Sequence, residues 1–171
     1  MKAQLTFEYM ISFIIFIGII VYIYLSYSAN IPNFIQEVFK EDARSKAYQL
    51  SEILVNDLGH PIDWDKSNVE RVGLSDMNFN KANLMSRIKI TELSGFDCAN
   101  QNDYDELKDL FALDRDFSIV IFEIQDDGDR NLLFSCFPSD LKTAIQAKVT
   151  RITAYTEDGD VKPAEVIVQV W

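Results

Sequence analysis

Residues 10–29 read Met-Ile-Ser-Phe-Ile-Ile-Phe-Ile-Gly-Ile-Ile-Val-Tyr-Ile-Tyr-Leu-Ser-Tyr-Ser-Ala, twenty positions without a charge. Twenty residues of helix rise roughly 30 Å, the thickness of a bilayer's hydrocarbon core. The run therefore predicts a membrane-spanning helix. Its many isoleucines are no obstacle there, because a helix satisfies its own backbone groups in lipid. Tyr22, Tyr24 and Tyr27 gather toward its outer end, where tyrosine favours the membrane interface. Pro32 removes a backbone donor and is expected to bend or briefly break the helix. From Phe34 to Leu58 the pattern becomes one-sided. Phe34, Val38, Ala43, Ala47, Leu50, Leu54 and Leu58 recur at three-to-five-residue spacing, with Glu37, Lys40, Glu41, Arg44, Lys46 and Glu52 between them. Gly59 and Pro61 then supply a stop. The prediction is one long, bent helix of roughly 80 Å, apolar all round in its first half and amphipathic in its second.

The rest of the chain reads as a small domain. Residues 80–93 suggest a short helix around Leu84, Ile88 and Leu93. Asp103 and Glu106 resemble a capping box ahead of Leu107, Leu110 and Phe111. From Phe117 the period changes to two. Residues 117–124 and 132–137 flank the turn 125–131, and residues 145–156 and 161–171 flank the turn 157–160, giving two antiparallel hairpins. The fold class expected is α+β: the long helix packed on a C-terminal antiparallel sheet domain with short helices, the globular part being residues 32–171.

Charge narrows the function. Lys2 and Glu8 are the only charges in residues 1–29 and cancel, so the whole net charge of −11 lies in residues 30–171. A domain this acidic is repelled by nucleic acid, which excludes that class of partner. There is no nucleophile elbow, phosphate loop or dinucleotide fingerprint, so no enzyme and no cofactor are expected. His60 is the single histidine, and no Cys or His stands near it for a metal or catalytic role. The acidic turns at 125–131 and 157–160 lack the ligand spacing of a calcium loop. Cys98 and Cys136 are the only cysteines. Outside the membrane such a pair can oxidise, closing a loop of about 40 residues worth about 3–4 kcal/mol. The sequence leaves open whether they are bonded.

Ahead of the apolar run stands Gln4-Leu5-Thr6-Phe7-Glu8-Tyr9. This resembles the Gln-x-Ser-x-Glu-Tyr processing motif of archaeal type IV pilins and pilin-like proteins, whose precursors carry a class III signal peptide. Thr6 stands where the family usually has Ser and keeps the hydroxyl. The resemblance implies a leader of residues 1–3, cut between Ala3 and Gln4 by a prepilin peptidase. It implies that residues 4–31 form the membrane and filament-core helix, with Glu8 as the fifth residue of the mature chain. Glu8, with Thr6 and Tyr9 beside it, is implicated in assembly, where the carboxylate meets the N-terminal amine of an adjacent subunit. The partners implied are other pilin subunits, an assembly ATPase and a platform membrane protein. The implied path is a single pass, N-in and C-out, followed by a surface filament. The stretch Gly59-His60-Pro61-Ile62-Asp63-Trp64, with Val72-Gly73-Leu74-Ser75 after it, resembles a second element of archaeal pilin-like proteins. Chain length above that of a minimal major pilin, and the lack of any Asn-x-Ser/Thr sequon, favour a minor subunit.

Two other readings compete. A single-pass anchor carrying an outer binding or sensor domain would need the apolar run but has no use for residues 4–9. A secreted domain would use the run only as a signal peptide, which Glu8, the scarce positive charge and the seamless amphipathic continuation oppose.

Overall fold

The structure, a computed structural model, describes residues 2–76, 82–125, 127–139 and 147–171, and among these the side chains of residues 2–7 and 33 lie outside the description. Contacts divide the chain into two compact units, Met1–Phe39 and Lys40–Trp171.

Helix α1 spans Lys2–Asn56 and passes through Pro32 without interruption. The break expected at Pro32 is therefore absent. A proline removes a single N–H and so costs the helix one backbone bond at this point. Just before it, Asn30 Nδ2 donates to the Ser26 carbonyl at 2.7 Å. The described residues of the first unit, 2–39, all belong to this helix.

The second unit is α+β. The last turns of α1 bury Ala43, Ala47, Leu50 and Leu54, each at most 1% exposed and spaced 4, 3 and 4 apart. This is one helical face. After α1 the chain turns sharply at Gly59, whose φ of +75° suits glycine. A Cβ there would sit 2.4 Å from the Trp64 ring nitrogen. The His60–Pro61 peptide is cis. Trp64, 2% exposed, donates its ring N–H to the Gly73 carbonyl at 2.9 Å. The loop beyond folds back on the helix end. Leu74 N–H donates to the Leu54 carbonyl at 2.9 Å, and Ser75 N–H to the Asp57 carbonyl at 3.0 Å. These bonds satisfy carbonyls that a helix C-terminus leaves without partners.

Strand β1 (Leu84–Ser86) leads directly into helix α2 (Arg87–Leu93). The helix expected over 80–93 is thus corrected to a strand followed by a shorter helix; residues 80 and 81 lie outside the described set. β1 is three residues long and pairs in parallel with residues 154–156, a contact no local pattern announces. Helix α3 (Gln101–Leu110) is capped by Asn100, whose side chain accepts from the Asn102 N–H at 3.0 Å. The capping box expected at Asp103 and Glu106 is not formed. The Asp103 carboxylate is held instead by Lys66 and by the Asp97 N–H.

Strands β2 (Phe117–Ile124), β3 (Arg130–Cys136), β4 (Ala147–Glu157) and β5 (Asp160–Val170) complete a sheet of order β1-β4-β5-β2-β3. All neighbours but β1–β4 are antiparallel. Phe117, Ile119 and Ile121 of β2 and Ala164, Val166, Val168 and Val170 of β5 alternate into one core with the buried face of α1 and with Tyr104 and Leu107 of α3. Tyr104 stacks on Phe117 at 5.1 Å between ring centres. Its hydroxyl donates to the Phe117 carbonyl and accepts from the Phe117 N–H. The two cysteines form a disulfide across 5.2 Å between Cα atoms, joining the loop after α2 to β3.

Candidate membrane and assembly site

From Glu8 onward α1 is long and apolar enough to cross a membrane, and no residue of its most apolar stretch is buried. Twenty residues at about 100° each sweep every direction round a helix axis, so this stretch has no polar face to turn to water. Ile14, Phe16 and Ile23 are 63%, 59% and 58% exposed. Surface of this kind is covered by lipid or by other protein. Glu8 and Tyr9 are exposed at its start, and Tyr22, Tyr24 and Tyr27 are exposed toward its far end. Apart from the adjoining helix backbone, a Cβ on Gly18 would meet no atom of the described residues within 4 Å, so no packing among them requires glycine there. Ala3, Gln4 and Thr6 have helical backbone, and their side chains fall outside the described residues.

Phe34 and Val38, expected on the face that packs against the globular domain, are 68% and 52% exposed. The packed face begins at Ala43. The step from Val38 to Ala43 is five residues, or roughly 500°, which places Val38 about 140° away from the Ala43 direction. Ile31, Phe34, Ile35 and Val38 thus form a separate exposed stripe that extends the apolar surface past Ala29. The signal was present as that five-residue step.

The second unit presents different chemistry. Lys89 is buried, and its amine donates to the carbonyls of Leu58 and Ser75. Burial lowers its pKa from the usual lysine range, against the pull of Asp76 and Asp57. Thr156 donates its hydroxyl to Asp76 beside it. These bonds tie the end of α1 to α2, to the 75–76 loop and to β4, a structural task. His60 is exposed, with Nε2 3.5 Å from a Glu70 oxygen. Among the described residues no three of His, Cys, Asp and Glu are grouped to hold a metal ion.

Compared with protein-family models, with curated proteins and with solved structures, the chain matches none of them.

Proposed function

We propose that the chain is a type IV pilin-like subunit, cut by a prepilin peptidase and assembled through its N-terminal helix into an archaeal surface filament or envelope machine. One observation carries this: a helix apolar on every side follows directly on the Gln4–Tyr9 motif, and the same helix then becomes the spine of an α+β domain. The function is structural. Drawing residues 10–29 out of a bilayer exposes sixteen apolar side chains. At about 1.5–3 kcal/mol for each large one, this amounts to tens of kcal/mol. Neighbouring helices replace the lipid and recover that energy. Glu8, at the edge of the run, aligns each helix by meeting the amine at Gln4 of its neighbour. Cyclisation of Gln4 to pyroglutamate would remove that amine and leave Glu8 to hydrogen bonds or protonation.

Mass spectrometry of the N-terminal peptide, from protein taken from its native membrane, tests the proposal. A start at Gln4 is expected, with loss of assembly but not of cleavage in Glu8→Ala. A start at Met1 or Lys2 would support a plain anchored binding or sensor domain. A start near Ala29 would mean a secreted domain, and either result would overturn the proposal.

A further inference from the structure

Most cations of the second unit sit beside a carboxylate, as Lys46 does beside Asp42, Lys108 beside Asp116 and Lys162 beside Glu157. Lys40, Arg44 and Lys148 have no such partner among the described residues. Two of the three meet. Arg44 from α1 and Lys148 from β4 line one open cavity, together with Glu41, Tyr48 and Gln49. Arg44 and Tyr48 stand four residues apart on one face of the helix. Tyr48 is 58% exposed, and the Arg151 guanidinium lies 4.7 Å over its ring. Arg151 is itself fixed: Nε donates to Ser51 Oγ at 2.8 Å, and an end nitrogen lies 2.6 Å from Glu52 without hydrogen-bond alignment. In a chain of net charge −11, this is a preset, net-positive hollow with an aromatic wall.

The same unit carries a surface of opposite sign. Asn102, Asp105, Glu106 and Asp109 fall at i, i+3, i+4 and i+7, which is one face of α3, and Glu70 borders the same hollow. Lys108 of that helix is turned away to Asp116, at 2.8 Å. Among the described residues Asp105 is engaged only by the neutral amide of Gln101, at 2.8 Å. No lysine or arginine pairs with Asp105, Glu106 or Asp109 among the described residues.

We propose that the acidic face of α3 in one copy docks into the Arg44–Lys148 hollow of a second copy. This rests on the assembly function above: the apolar helix supplies the association, and the domains set its register. Net repulsion between copies is screened beyond about 8 Å at physiological salt, so local pairing decides the contact. Exposed ion pairs are individually weak, which suits a contact that orients subunits already held together. Because the two surfaces differ, the contact is head-to-tail. Such a contact repeats as an open helix unless the rotation closes a ring.

The test uses the full-length protein in membrane vesicles, as an equal mixture of ordinary and 15N-labelled chains. Zero-length carbodiimide coupling is followed by mass spectrometry. Mixed-isotope links between Lys148 and Asp105, Glu106 or Asp109 are expected, with yield falling as salt rises. Arg44→Glu should cut those links about tenfold, because it sets like charges against each other. Adding Glu106→Arg should restore most of the loss through the remaining acids. Copies that cross-link through their helices but never between Lys148 and α3 would overturn the docking and leave assembly standing. So would links that Arg44→Glu leaves unchanged. Copies that do not associate at all would overturn both.

Discussion

Residues 10–29 and residues 43–54 belong to one helix and make opposite demands on their surroundings. In the first stretch the large apolar side chains are all at least 42% exposed, Ile17 being the least so. In the second, Ala43, Ala47, Leu50 and Leu54 are at most 1% exposed. Backbone hydrogen bonding is the same in both, so helix formation does not distinguish them. The distinction lies in angular order. Apolar residues confined to one stripe can be buried by the chain's own sheet, whereas apolar residues on every side must be covered by something else. One polypeptide thus carries a region completed internally and a region completed only in company.

The contrast is sharpened most by truncating one side chain in each region. Leu54→Ala should destabilise the second unit by about 2–5 kcal/mol. Ile17→Ala should leave that unit unchanged to within about 0.5 kcal/mol. Urea unfolding followed by tryptophan fluorescence reads both, and equal losses would erase the difference between the regions. Next comes the disulfide. Cys98→Ser with Cys136→Ser reopens a loop with a sequence separation of 38. This should cost about 3–4 kcal/mol of unfolding free energy while membrane partition stays the same. The converse substitution is Ile17→Arg. It should disfavour membrane insertion by about 3 kcal/mol and leave the urea midpoint of the second unit untouched, as vesicle flotation and urea unfolding of the same sample would show.

The smallest effect is in pH dependence. Burial, with Asp116 and Asp105 nearby, pushes the Tyr104 phenol up to about 12 from an ordinary 10. Below pH 10 the phenol is neutral folded and unfolded, and its contribution is complete. Between about 10 and 12 only the unfolded chain ionises, so stability falls as pH rises through that window, by on the order of 2 kcal/mol. Tyr104→Phe should flatten this part of the curve relative to the natural protein. An unaltered slope would mean that the phenol does not titrate with folding.

Much of this arrangement was legible because it is local. Strands β2 and β5 announce themselves by placing an apolar residue at every second position, and their register follows from which face must be buried. The helix stop at Gly59 and Pro61 was legible, whereas the close packing of Val72–Ser75 against it was not: a Cβ on Gly73 would stand 2.3 Å from the Asp57 carbonyl oxygen. What escaped was non-local. β1 is a strand because residues 154–156 offer it an edge, and three residues carry no periodicity of their own. Asp103 looked like a helix cap, but Lys66, 37 positions earlier, claims its carboxylate. Phe34 and Val38 fitted the spacing of the buried stripe but not its phase. The cysteines could be named as a pair from composition, whereas their bonding depends on how β3 meets the loop after α2.

The grip on the end of α1 has a mechanical consequence. Leu54, Asp57 and Leu58 offer their carbonyls to Leu74, Ser75 and Lys89 within little more than one helical turn. A tensile load carried down α1 therefore meets three tethers anchored almost at one point. Tethers so anchored share the load and rupture together, and a joint that fails all at once withstands more force than one that peels bond by bond. The lack of a side chain at Gly73 lets that loop lie close enough to make the joint. A methyl group there would turn a clamp into a hinge.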